Sequence, residues 1–140
     1  MTNQLETVKA WVETIDHIQL TSSTEVEDAM LLFYGKVLGL TEIAKPEALK
    51  GNDNTWYALG NIQLHISTEK NANNEASRRH ICFQVADLKE FEAHLIAHGV
   101  EIISVGTARR RHRQPIPGYN RFYIRDPGGN RLEIVSAKSR

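Results

Sequence analysis

The chain reads as an α+β protein made of two copies of one strand–helix–strand–strand–strand pattern, and three observations predict it. The same order of elements occurs twice, once over residues 14–68 and again over 78–137. The short segments alternate apolar and polar side chains with the period of a strand. The two longer segments carry apolar residues at helical spacing, and each closes on a glycine, Gly39 and Gly99.

Residues 1–13 precede the repeat and place Leu5, Val8, Trp11 and Val12 at helical spacing, so an N-terminal helical extension is expected there. "TIDHIQLTS" is the first strand. "STEVEDAMLLFYGKVLGL" follows with Ser/Thr cap candidates and an apolar face of Val26, Met30, Phe33, Tyr34 and Val37. "LTEIAK" is the next strand, and "TWYAL" and "IQLHIS" form a hairpin around Gly60-Asn61. The polar run "TEKNANNEASR" is an exposed linker. In the second copy "RHICFQV" is a strand, and "DLKEFEAHLIAHGV" is a helix capped by Asp87. "EIIS" is a strand, and "RFYIRD" and "RLEIVS" are a hairpin turned by "PGGN".

At 140 residues, 14–137 forms one domain with enough chain for a real core. With 17 Lys+Arg against 17 Asp+Glu, no global field calls for nucleic acid or a membrane surface. The single cysteine, Cys82, excludes an intrachain disulfide framework. The acidic N-terminus lacks the apolar run of a signal peptide, and no segment is long enough to span a bilayer, so a cytoplasmic protein is expected.

Aligning the copies places His17 over His80 and Gln63 over Glu133. In each of these strands one face is apolar, while the other offers imidazole, amide or carboxylate. A half-wet sheet also alternates, but symmetry-related histidines and a glutamate form a narrower pattern. Two histidines and a carboxylate on rigid strands are what a divalent metal needs, with positions left for water or substrate. His17, His80 and Glu133 are therefore the candidate ligands. The competing reading makes them half-exposed sheet residues with local hydrogen bonds.

At "DHIQL", "FYGKVLGL", "RRHICFQVADL" and "RFYIRDPGGNRLEIV" the chain resembles the vicinal oxygen chelate superfamily of glyoxalases, bleomycin-resistance proteins and extradiol dioxygenases. The resemblance implies paired βαβββ modules forming a cupped, incompletely closed mixed β-barrel around one divalent transition metal (Ni, Zn, Mn or Fe(II)). It implies metal positions at His17, Gln63, His80 and Glu133, with Glu133 as the catalytic carboxylate. His65, Cys82, Tyr119 and Arg121 are expected to line the substrate pocket. It also implies a homodimer, with the segment around Trp11 as a contributor, and a small oxygen-chelating substrate handled by lyase- or isomerase-like chemistry. Alternatives are a metal-free drug- or ligand-sequestering protein, a small Fe(II) extradiol-type dioxygenase, or a fosfomycin-type thiol transferase. The run "ARRRHRQPIPGYNR" reads mostly as a solvated connection, and His94, His98 and His112 as surface residues.

Overall fold

A half-apolar strand needs cover on one side only, and among the described residues two helices supply it for eight strands. The computed structural model describes residues 8–51, 54–104 and 120–136. The first module runs β1 (His17–Ser22), α1 (Glu27–Leu32), β2 (Thr41–Ile43), β3 (Asn54–Leu59) and β4 (Ile62–Thr68). The second runs β5 (His80–Val85), α2 (Leu88–Ala97), β6 (Ile103–Ser104), β7 (Arg121–Arg125) and β8 (Arg131–Ser136). The strands form two four-stranded mixed sheets, ordered β1-β4-β3-β2 and β5-β8-β7-β6, that do not close into a barrel. In each, the first strand lies at an edge and runs parallel to the last, while the other pairings are antiparallel.

The helices form where the spacing predicts. Met30, Phe33 and Tyr34 of the first and Leu95 of the second bury against Leu64, Ile66, Leu132 and Ile134 in one apolar cluster shared by both sheets. Asp87 caps α2 by accepting the Glu90 amide at 3.0 Å. The first helix has no such cap. It opens through a 3₁₀ turn, Thr24–Val26, and Ser22 instead donates to the Ser23 carbonyl. It ends in a wider π turn, Phe33–Val37. Gly39 and Gly99 both take positive φ (77° and 79°), the left-handed step that ends a helix without a Cβ penalty.

Three expectations change. Residues 8–13, the described part of the predicted N-terminal helix, are neither helix nor strand, and the first strand starts at His17 rather than Thr14. Val8, Trp11 and Val12 stand exposed, and a short helix without packing is marginal. The linker after β4 is also not wholly exposed. Asn74 is buried, and its amide donates to the carbonyls of Thr21 (2.8 Å) and Gly128 (2.9 Å).

Asn74 belongs to a polar clasp that joins the modules. Tyr34 of the first helical segment donates to Asp126, in the turn between β7 and β8, at 2.6 Å. Asp126 also accepts the amides of Gly128 and Asn130, each at 2.9 Å. The Asn130 side chain donates to Asp126 (2.9 Å) and back to the Thr21 carbonyl (3.1 Å). Gly128 fits because it has no side chain, since a Cβ there would stand 2.6 Å from Ser22 Cβ. His94, read from sequence as a surface residue, is half-buried and donates to the Val37 carbonyl at 2.7 Å, tying the two helical segments together. His98 is exposed as expected, and His112 lies outside the described residues.

Burial, the Asp126 charge and the shared hydrogen bond push the Tyr34 hydroxyl well above its ordinary 10.0. Burial likewise raises the Asp126 carboxyl, against the opposing pull of its hydrogen bonds to Tyr34, Asn130 and Gly128. Tyr34→Phe leaves this buried carboxyl short of a donor and should cost about 1.5–3 kcal/mol in urea denaturation. In the unfolded chain Tyr34 loses its proton near its ordinary value while the folded chain keeps it. Stability that is present below pH 10 is therefore lost as the pH rises past it, and Tyr34→Phe should remove that share of the alkaline loss. Gly128→Ala should cost about 1–3 kcal/mol by overpacking against Ser22 and Met30, read as a lowered denaturation midpoint.

Candidate functional site

The face opposite the shared core carries the sequence-predicted residues in two groups, one on each sheet. Strand register decides which side chains are counterparts. In the first sheet His17 pairs with Gln63, and Gln19 with His65. In the second His80 pairs with Arg131, and Cys82 with Glu133. His65 also lies opposite Trp56, as Glu133 lies opposite Tyr123. The counterpart of Glu133 is thus His65, and the counterpart of Gln63 is Arg131. The alignment of Gln63 with Glu133, made by matching "IQL" to "LEI", is two residues out of the ladder register.

On the first sheet three rings form a stack. His65 lies between Trp56 (centroids 4.1 Å apart, planes at 1°) and His17 (4.2 Å, 13°). The Trp56 indole nitrogen is buried there with no hydrogen-bond partner. His65 Nε2 is 2.9 Å from Gln63 Oε1. An amide oxygen only accepts, so the ring proton sits on Nε2 and leaves Nδ1 basic. Burial lowers the His65 pKa, the neighbouring His17 lowers it further, and Asp16 pulls the other way, so His65 is a neutral ring at neutral pH. His17 Nδ1 donates to Asp16 Oδ2 at 2.8 Å, which leaves Nε2 as its basic nitrogen.

On the second sheet His80 Nδ1 donates to the Arg78 carbonyl at 3.1 Å. Its Nε2 then faces Glu133 Oε1 at 3.2 Å. Glu133 is buried, and its other oxygen accepts from Arg121 at 3.4 Å. The Arg131 guanidinium lies 4.3 Å above the Tyr123 ring, and the Tyr123 and His80 rings stand nearly perpendicular, centroids 5.8 Å apart. Cys82 is exposed on β5 beside Glu133. Tyr119 and the basic run 108–119 lie outside the described residues.

Both histidines at the starts of edge strands thus have Nδ1 committed to an acceptor, and His80 turns its Nε2 to Glu133. That is the outer-shell arrangement that fixes the tautomer of a metal-binding imidazole. A lone pair on His80 Nε2 facing a carboxylate oxygen is repulsive unless a proton or a cation lies between them. Two ligands of one ion, each about 2.1 Å from it, stand about 3.0–3.4 Å apart, which is the spacing seen here. The donor chemistry of each group therefore suits a divalent ion. The groups remain separate within the chain: among the described residues, no three His, Cys, Asp or Glu side chains stand close enough to share one.

A slot of about 210 Å³ runs between β1 and β5, lined by Gln19, Ser77, Arg79, His80, Asn130 and Arg131, with no acidic residue among its described walls. Asp16, Trp56, Tyr123 and Arg131 are not singled out by sequence reasoning. Asp16 is legible as the carboxylate in "DH", and Arg131 as a polar residue in phase with Glu133. The ring stack is not, because it depends on cross-strand register.

No curated protein matches the chain significantly. A solved structure assigned to the glyoxalase family, from Bacillus anthracis, is 35% identical, covers 92% of this chain and 98% of its own, and superposes with a TM-score of 0.77. Lactoylglutathione lyase from Agrobacterium tumefaciens (22% identity, 92% and 97% covered, TM-score 0.64) shares the fold. So does the fosfomycin resistance protein FosX from Listeria monocytogenes (16%, 90% and 94%, 0.70). The family model described as Glyoxalase/Bleomycin resistance protein/Dioxygenase superfamily matches residues 14–134, nearly the whole repeat, and the chain belongs to that superfamily.

Proposed function

We propose that the chain is a divalent-metal-dependent enzyme of lyase or isomerase type, acting on a small molecule that offers two oxygens and a negative charge. The observation that carries this reading is the 3.2 Å approach of His80 Nε2 to Glu133 Oε1 while His80 Nδ1 is already a donor elsewhere. His80 and Glu133 would hold the ion from the second sheet. His17 would hold it from the first, with His65 or Gln63 beside it. Each half-site is incomplete alone, so the reading pairs two chains, the first sheet of one facing the second sheet of the other. The bound ion supplies Lewis acidity toward the substrate oxygens.

The remaining work falls to the chain. Glu133 is the buried carboxylate of the site, so movement of a substrate proton is assigned to it, and Arg121 orients it through Oε2. Arg131 and Arg79, beside a slot without acidic walls, favour an anionic substituent on the substrate. Cys82 and His65 line the approach, and Tyr119 is kept as a proposed neighbour on sequence grounds. A second reading, a metal-free ligand-binding protein, is favoured by the separation of the two donor groups within one chain.

Elemental analysis of untagged protein separates the two readings. Wild type should hold about one transition metal per chain, and His80→Ala or Glu133→Ala should lose it while circular dichroism shows the fold intact. Asp16→Ala, which frees His17 Nδ1, should weaken metal affinity about 10–100-fold. Wild type that takes up no metal after supplementation would move the assignment to the metal-free reading.

A further inference from the structure

The three stacked rings of the first sheet limit which histidine can hold an ion. Trp56, His65 and His17 stand on β3, β4 and β1, and their register puts all three on one face. Neighbouring strands lie about 4.8 Å apart, so rings leaning across them meet face to face. His65 is clamped between the other two, parallel to Trp56 within 1° and to His17 within 13°. The clamp leaves the Trp56 indole N–H buried without a hydrogen-bond partner, which native structures rarely carry without a reason.

An imidazole nitrogen binds a metal through a lone pair in the plane of its ring, with the ion about 2.1 Å away. Two ring planes in contact, about 3.5 Å apart and tilted by 13°, meet only about 15 Å away. An ion shared by His17 and His65 would therefore lie off both lone pairs. The second sheet is arranged differently. His80, Glu133 and Tyr123 take the places of His17, His65 and Trp56, Tyr123 stands at 82° to His80, and Glu133 Oε1 meets His80 Nε2 at 3.2 Å. Of the two stacked histidines, His17 suits the ion, because a carboxylate, Asp16, holds its Nδ1 proton. We infer that Trp56 is a positioning residue, which keeps His65 parallel to His17, out of the ligand set, and leaves its Nδ1 to the substrate. Gln63 Oε1 takes the Nε2 proton of His65, so Nδ1 accepts a hydrogen bond and cannot donate one. This rests on the metal reading above and narrows its substrate to a molecule with a hydroxyl among its chelating oxygens, such as an α-hydroxy acid.

The test is calorimetric titration of Ni(II) into the untagged, metal-stripped full chain, with circular dichroism as the check on folding. His17→Ala should weaken Ni(II) binding about 100-fold, whereas His65→Ala should stay within about threefold of wild type. Trp56→Leu frees His65 to join the ion and should tighten binding about tenfold. Trp56→Phe, which keeps a ring in the stack, should match wild type, and Trp56→Leu/His65→Ala should lose the gain. A His65→Ala loss as large as that of His17→Ala overturns the exclusion and leaves the metal reading standing. A folded Trp56→Leu variant without a His65-dependent gain does the same. If Trp56→Leu does not fold, His65→Ala decides alone. A wild type that binds no Ni(II) overturns both readings. On the Ni(II)-loaded protein, glycolate should bind about tenfold more tightly than methoxyacetate, which has the same oxygens without the hydroxyl proton. His65→Ala should abolish that preference. Equal affinity for the two in wild type, or none for either, overturns the acceptor role of His65.

Discussion

The buried hydrogen bond from Tyr34 to Asp126 is the constraint on which the relation of the two modules depends. It joins the first helical segment to the last hairpin turn, and it holds only because the same carboxylate organises its own turn through Gly128 and Asn130. Apolar burial alone is non-directional and would let two similar modules slide against each other. A buried carboxylate with several partners does not permit that, because any slide leaves a charged group unpaired. The Thr21 carbonyl, at the far end of the strand that begins with His17, is drawn into the same clasp by Asn74 and Asn130. The position of the candidate site is thus set from the side of the core.

On the site face the controlling feature is which ring nitrogen carries the proton. Asp16 and the Arg78 carbonyl each take the Nδ1 proton of a histidine, and Gln63 takes the Nε2 proton of His65. Three imidazoles therefore present defined basic nitrogens. The two sheets have also diverged in character. The first offers stacked rings, and the second a carboxylate among guanidinium groups. That division is consistent with half-sites that complement one another rather than repeat one another.

Much of this is legible from residues alone. Periodicity locates the eight strands and both helices, and Gly39, Gly99 and Asp87 mark helix boundaries, because these signals are local and each has one physical cause. The face carrying His17, His65, His80 and Glu133 is legible for the same reason. Register is not. Setting "IQL" over "LEI" matches Gln63 with Glu133, whereas the ladders make His65 its counterpart, because a similar tripeptide does not record which residue stands opposite which. Helical spacing misleads at the N-terminal stripe because it states only what a helix could bury, not whether anything is there to bury it. His94 escapes notice because its partner is a backbone carbonyl, which no sequence pattern displays.

The π turn at Phe33–Val37 has a consequence of its own. Such a turn behaves as a single residue inserted into a helix and absorbed without disturbing the next element. The amide of Leu38 reaches back to the Phe33 carbonyl at 2.9 Å, and the chain still arrives at Gly39 in place to start β2. Residues past the insertion are rotated by about 100° relative to an unbroken α-helix, and His94 takes up the Val37 carbonyl there. A shorter descendant of this chain that dropped one residue here would regain a regular helix and lose the acceptor for that histidine. Length change at this point is therefore coupled to the identity of a side chain in the other half of the repeat.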